Sequence, residues 1–372
     1  MSSDPGPAAL LSTFPALADR IPWQPLGHFP TPLQRIDHRF GHLLGPFAPG
    51  GGTLWVKRDD LCGGPYGGNK VRKLEFLLSD AARRGARRLL TIGAYGSNHV
   101  LATTVYGRRA GFDVDAVLFP QPLSARVFDQ LLAEAHAGAR LIPTRSYLGA
   151  GLAVARGRLR RGVYWIPAGG SSPLGVLGYV SAGLELAAQI RAGEAPPFDT
   201  IYVPLGSGST AAGLWLGLAL AGWAGRLIAV RVVDRIVANR TLVRWWAAGG
   251  ARLLRRAGLA TLPGTRPELY VDHRFFGPGY AHPTPAAEDA VAQAAQAGLT
   301  LETTYTGKTL AALLEDARAG RLTGQNVLFI DTFNSLDLAP LLPPARDPAL
   351  LPPLLARLYE QYRARTSVTP AR

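Results

Sequence analysis

The chain has 372 residues, 47% hydrophobic and 18% charged, enough apolar material for two domains or one large α/β unit. Its formal net charge of +14 comes from arginines scattered without interleaved aromatics, so no nucleic-acid-binding module is indicated. A single cysteine, Cys62, excludes an intrachain disulfide, and seven dispersed histidines offer no metal-ligand spacing.

In chain order, residues 1–27 are Pro- and Ala-rich and are expected to lie over the surface. Asp4 and Asp19 interrupt the first twenty residues, which lack a basic stretch ahead of an apolar core, against a signal peptide. A strand is expected over 54–57. A helix over 74–84 stops at Gly85, and a buried strand covers 88–93. A turn at 94–99 opens a helix over 100–110, and a strand follows over 114–119. A helix over 124–137, strands over 140–143 and 164–167, and a long helix over 174–192 come next. Then a strand at 200–205, a loop at 206–210, a helix at 211–222 and a strand at 227–233 complete another alternation. A helix over 286–297 and a final strand over 327–330 close the pattern. The most apolar segment, 211–224, is shorter than a membrane span. Strands alternating with helices predict an α/β protein with mostly parallel sheets covered by helices.

Four lysines stand against thirty-six arginines, and three of the four, Lys57, Lys70 and Lys73, fall between residues 57 and 75. Arginine cannot be deprotonated, so a lysine retained in such a chain marks a place where amine chemistry can be needed. Lys70 follows Gly67-Gly68-Asn69 at a loop-to-helix junction, where desolvation lowers the pKa and makes the amine nucleophilic enough for a Schiff base. A surface lysine paired to an acid is the alternative on these residues alone. Gly206-Ser207-Gly208-Ser209-Thr210 lies between an apolar strand and a helix, where free N–H groups and hydroxyls can cradle an anion. Gly206, Gly208 and Ala211 also match a loose dinucleotide spacing, which keeps a nicotinamide-dependent oxidoreductase open. Ser97-Asn98-His99 is another polar strand–helix turn, readable equally as an ordinary helix cap.

Taken together, Gly67 to Glu75, Ser97 to Val100, Ile166 to Gly175, Gly206 to Thr210, Pro278-Gly279-Tyr280 and Tyr305 to Lys308 resemble the pyridoxal-phosphate enzymes that group D-cysteine desulfhydrases with 1-aminocyclopropane-1-carboxylate deaminases. The resemblance covers about residues 30 to 335. It implies a fold type II, tryptophan-synthase-β-like architecture: a large cofactor-binding domain of 1–75 with 175–372, and a small α/β domain of 76–174. It implies that Lys70 holds pyridoxal 5′-phosphate covalently and moves the Cα proton. Asn98 would bond the cofactor's phenolic oxygen, and Gly206, Ser207, Gly208, Ser209 and Thr210 would hold its phosphate. Ser97, Asn98, His99 and Tyr305 would meet the substrate, with Ser97 and Tyr305 catalytic. Thr306 and Thr332 would stand near the pyridine nitrogen.

The chain departs from the family pattern at Gly96, where glutamine is usual, and at Asp331-Thr332-Phe333-Asn334, where His-Thr-Gly-Gly is usual. The implied reaction is a deaminating α,β-elimination from a small amino acid such as D-cysteine. Cyclopropane ring opening, another small amino acid, and a cofactor-binding protein without turnover are the alternatives. A cytoplasmic homodimer with no metal, nucleic-acid or membrane partner is the remaining expectation.

Overall fold

The computed structural model describes residues 8–37, 51–260 and 266–367. The elements in chain order are α1 (Ala9–Thr13), β1 (Leu33–Arg35), β2 (Thr53–Lys57), α2 (Lys70–Arg83), β3 (Arg88–Ala94), α3 (Asn98–Arg109), β4 (Asp113–Phe119), α4 (Ala125–His136), β5 (Ala139–Pro143) and α5 (Tyr147–Arg158). They continue with β6 (Val163–Ile166), α6 (Pro173–Arg191), β7 (Thr200–Leu205), α7 (Ser209–Leu220), β8 (Arg226–Arg231), α8 (Arg240–Arg256), β9 (Glu268–Asp272), α9 (Pro285–Gln296), α10 (Thr306–Arg318), β10 (Asn326–Ile330) and α11 (Pro353–Ser367). The chain divides into two compact units, one built from residues 1–77 with 171–336, the other from 78–170 with 337–372.

The larger unit is organised on a six-stranded sheet of order β1-β2-β10-β7-β8-β9. Only β1 runs antiparallel; the other ladders are parallel. Side chains on a strand alternate between faces. Accordingly Ile201, Val203, Leu205, Leu227, Ala229, Leu328 and Ile330 join one core with α6, α7 and α8. Their neighbours Tyr202, Ile228, Val230, Val327 and Phe329 face the opposite core, with α9 and α10. Helices on both faces explain why the strands read as continuous apolar runs. Strands β2, β10 and β7 are adjacent and parallel, so the loops leaving their C-terminal ends, at 58–69, 331–334 and 206–208, gather on one edge of the sheet. In open parallel sheets that edge is where ligands bind.

Helix α6 has the length and mean hydropathy, 1.2, of a membrane span. Most of it is buried in the core, and it carries Glu185 into an ion network described below.

The smaller unit has a four-stranded, all-parallel sheet of order β5-β4-β3-β6. Val100 of α3 and Val127, Phe128 and Leu131 of α4 pack on one face with Ala116 and Leu118 of β4. Ala150 of α5 packs on the other face with Leu90 and Val117.

Three expectations need correction. Residues 337–372 group with the smaller unit, not the larger: Leu351 and Leu355 enter the α3–α4 core, and the Phe128 ring packs on Tyr359 and Tyr362 at 4.9 and 5.3 Å. The segment 1–27 is not merely draped: Leu10, Leu11, Leu17 and Ile21 are buried in the larger core, while residues 1–7 lie outside the described residues. Helices α5 and α8 and strand β9 fall where no element was expected.

Candidate active site

Lys70 opens α2 immediately after the loop that leaves β2. That loop is clamped by the β10 exit. Gly67 N–H donates to Asn334 Oδ1 at 2.6 Å, and Asn69 N–H donates to the Thr332 carbonyl at 3.1 Å. Gly68 sits at φ 89° with the Phe333 and Thr332 carbonyls 2.6 and 2.9 Å from where a Cβ would be, so only glycine fits. The segment that departs from the family pattern therefore holds the lysine loop in place.

From there a chain of side chains runs to the second loop. Lys70 Nζ donates to Asn69 Oδ1 at 2.6 Å, and Asn69 Nδ2 donates to Thr210 Oγ1 at 3.0 Å. One turn further along α2, and so on the same face, Lys73 Nζ donates to Ser209 Oγ at 2.8 Å. Ser171 Oγ lies 2.7 Å from Ser207 Oγ and 2.9 Å from Ser209 Oγ. Helix α7 is capped by Gly208, at φ 93°, with no side-chain acceptor. The first N–H groups of a helix have no partner inside it, so this turn offers them to an external anion.

Burial pushes Lys70 down to about 8, the Glu302 carboxylate acting against it. Burial lowers Lys73 strongly, and the neighbouring Lys70 charge lowers it further. The other two lysines have different duties. Lys57 meets Glu185 at 2.6 Å in a buried network with Arg72 and Asp59. Lys308 Nζ donates to the Phe276 carbonyl at 2.7 Å.

Tyr305 closes another side of this region, its ring 3.2 Å from where a Cβ on Gly206 would be. Its hydroxyl pairs with Tyr280 at 2.8 Å. Burial and the Tyr280 hydroxyl both raise the Tyr305 pKa, so Tyr305 stays protonated. Thr306 is buried, and its hydroxyl accepts from Glu302 N–H at 3.1 Å. The Glu302 carboxylate accepts the N–H groups of Thr304, Tyr305 and Thr306 at 2.7–3.0 Å, fixing the start of α10. Thr332 is buried beside the lysine loop.

Lys70, Gly206, Ser207, Gly208, Ser209, Thr210, Tyr305, Thr306 and Thr332 all belong to the larger unit. The structure adds Asn69, Lys73, Ser171, Tyr280 and Glu302. Asn69 precedes Lys70 in the chain, and the helical spacing of Lys70 and Lys73 could have flagged Lys73; Ser171 and Tyr280 meet their partners only through the fold. Ser97, Asn98 and His99 belong to the smaller unit, at the start of α3, with Ser97 as its cap residue. There Gln130 Nε2 donates to Asn98 Oδ1 at 2.5 Å, and His99 Nε2 lies 2.9 Å from Thr91 Oγ1. Among the described residues no group of His, Cys, Asp or Glu is placed to hold a metal ion.

A lysine with a lowered pKa, a glycine-capped helix start, and a second buried lysine at that start define a site for an anionic carbonyl compound. The family model for pyridoxal-phosphate-dependent enzymes matches residues 25–332. A putative 1-aminocyclopropane-1-carboxylate deaminase of Pyrococcus horikoshii is 33% identical over 341 residues, 87% of this chain and 93% of that protein. D-cysteine desulfhydrase of Klebsiella pneumoniae is 32% identical, covering 84% of this chain and 94% of that protein. The crystal structure of a 1-aminocyclopropane-1-carboxylate deaminase homologue superposes with a TM-score of 0.70 at 30% identity, over 89% of this chain and 95% of that one. The architecture is that of the fold type II enzymes. The chain belongs to the pyridoxal-phosphate-dependent enzyme family, in its group of deaminase- and desulfhydrase-like lyases.

The residues present fit that cofactor. The Gly208 turn presents the first N–H groups of α7 without a side-chain cap, Lys73 reaches Ser209 beside it, and a buried indole N–H next to Gly208 has no partner among the described residues.

Proposed function

We propose that the enzyme catalyses α,β-elimination from a small amino acid, D-cysteine or a close relative, releasing a 2-oxo acid, ammonia and sulfide. The observation that carries the reading is the neutral Thr306 directly after Tyr305, where the ring-opening deaminases it resembles have an acid. The Glu302 carboxylate, beside Thr306, is engaged by three backbone N–H groups. The bound cofactor supplies an electron sink for the bonds at Cα. A threonine hydroxyl in place of an acid gives a weaker sink, which suffices when a good leaving group departs as the Cα proton leaves.

On this reading the protein's own groups divide the work. Lys70, as a neutral amine, takes the proton from Cα. Tyr305, kept protonated by burial and by Tyr280, gives a proton to the departing sulfur. Lys73, Ser207, Ser209 and Thr210 hold the phosphate.

The test is a parallel assay of D-cysteine, β-chloro-D-alanine, their L forms and 1-aminocyclopropane-1-carboxylate. Pyruvate with sulfide from D-cysteine should be the fastest release. Faster 2-oxobutanoate release from the cyclopropane substrate would overturn the assignment, and no turnover of any of these would point to another amino acid.

A further inference from the structure

Trp246 stands two turns into α8, whose start is fixed by Asn239 Oδ1 accepting from Leu242 N–H at 2.9 Å. Leu242 and Trp246 are four residues apart and share a helix face. Both lie against the tip of the serine–glycine loop. A Cβ on Gly208 would meet Trp246 Cδ1 at 3.1 Å, its Nε1 at 3.5 Å and Leu242 Cδ2 at 4.0 Å. Gly249 and Gly250 bring the next turn against Pro173 and Val176 of α6, which anchors α8 in this position.

The Nε1–H edge of the ring therefore faces the loop. That atom is buried and, among the described residues, has no hydrogen-bond partner. Four other indoles are satisfied: Trp23 donates to Glu75, Trp55 to Thr53, Trp215 to the Pro267 carbonyl and Trp223 to the Phe198 carbonyl. Buried donors are nearly always paired, and an indole N–H can only donate. No described residue accepts from it, which leaves it open to an external acceptor at the point where a helix start and Lys73 favour an anion.

We infer that Trp246 is a further cofactor-holding residue, its indole N–H donating to a phosphate oxygen of pyridoxal phosphate seated on the 206–210 loop. This rests on the phosphate position proposed above.

The experiment is an indole 15N–1H titration of the full-length, cofactor-free protein with inorganic phosphate, pyridoxal phosphate and phosphate-free pyridoxal. Trp246 is assigned by triple resonance and checked with Trp246→Phe. Its cross-peak should move downfield with pyridoxal phosphate and with phosphate, and stay with pyridoxal. Trp246→Phe should raise the Kd for pyridoxal phosphate about tenfold or more, the loss of one hydrogen bond to a charged acceptor. It should leave the Kd for pyridoxal unchanged and shift the 31P resonance of the bound cofactor. A cross-peak unmoved at saturation, or a wild-type Kd in the variant, overturns the inference. The wild-type titration decides the matter even where Trp246→Phe does not fold. Gly208→Leu and Lys73→Met separate the two levels. If they weaken retention while Trp246→Phe does not, only the role of Trp246 falls. If none of the three does, the phosphate lies elsewhere and the reading beneath it falls as well.

Discussion

Two clusters of buried positive charge share the first turn of α2, and they are built differently. Arg72 donates to Asp59 and Glu185 through bonds of 2.7–2.9 Å, with Thr31 and Tyr179 completing the cluster and Lys57 reaching Glu185 at 2.6 Å. Burial would raise the Glu185 carboxyl, but Arg72 and Lys57 hold it down at about 2. On the neighbouring positions, Lys70 and Lys73 give their protons to neutral oxygens, Asn69 Oδ1 and Ser209 Oγ. A buried charge matched by carboxylates is a structural fixture whose rupture is costly. A buried amine facing neutral oxygens has a lowered pKa and a field that suits an incoming anion. The same four-residue stretch thus ties Arg72 into the fold and turns Lys70 and Lys73 toward neutral oxygens, the arrangement that suits amine chemistry.

The largest effect that would break this contrast comes from the lysine itself. Lys70→Ala should lower turnover about 10²–10⁴-fold or more, the usual range for losing a positioned proton-transfer group. Its unfolding midpoint should stay near wild type, checked by steady-state assay beside thermal melting. Comparable loss of stability and activity would mean that Lys70 belongs with the structural cluster.

Glu185→Gln addresses the other side. It leaves Arg72 and Lys57 short of a charge and should destabilise by about 3–5 kcal/mol, read from urea unfolding. The folded pKa of Glu185 lies near 2, below its ordinary value, so its stabilisation is present above about pH 4.5 and is lost as pH falls toward 2. The variant should lack that part of the acid-induced loss while keeping wild-type affinity for pyridoxal phosphate when folded.

A smaller shift should follow at Glu302, whose carboxylate opposes the desolvation of Lys70. In the cofactor-free protein the rate of Schiff-base formation with pyridoxal phosphate should rise with pH through about 8, as the amine loses its proton. Glu302→Gln should move that inflection to lower pH. An upward shift would show that the carboxylate does not act on Lys70.

The same stretch shows what the sequence discloses. Composition pointed to lysine chemistry; in the structure Lys70 and Lys73 face neutral oxygens at the loop, whereas Lys57 and Lys308 are held by Glu185 and the Phe276 carbonyl. The central strands of both sheets were legible because buried parallel strands are short apolar runs between turns, whereas β9 at the edge of the larger sheet was not. Helix α5 was not, since Leu148, Leu152 and Leu159 point to solvent and glycines interrupt its pattern. The C-terminal helix was misassigned because its docking on Phe128 is a contact of distant residues, absent from any local period. Lys70, Tyr305 and the serine–glycine loop lie in motifs, as do Tyr280 and Ser171, but the pairing of Tyr280 with Tyr305 and of Ser171 with Ser207 and Ser209 appears only in the fold.

The central claim is that, of the four lysines, Lys70 carries the cofactor. Borohydride reduction of the full-length protein loaded with pyridoxal phosphate, followed by peptide mapping, tests it directly. A pyridoxyl label on Lys70 alone is expected; a label on Lys57, Lys73 or Lys308, or no label on any lysine, would contradict it.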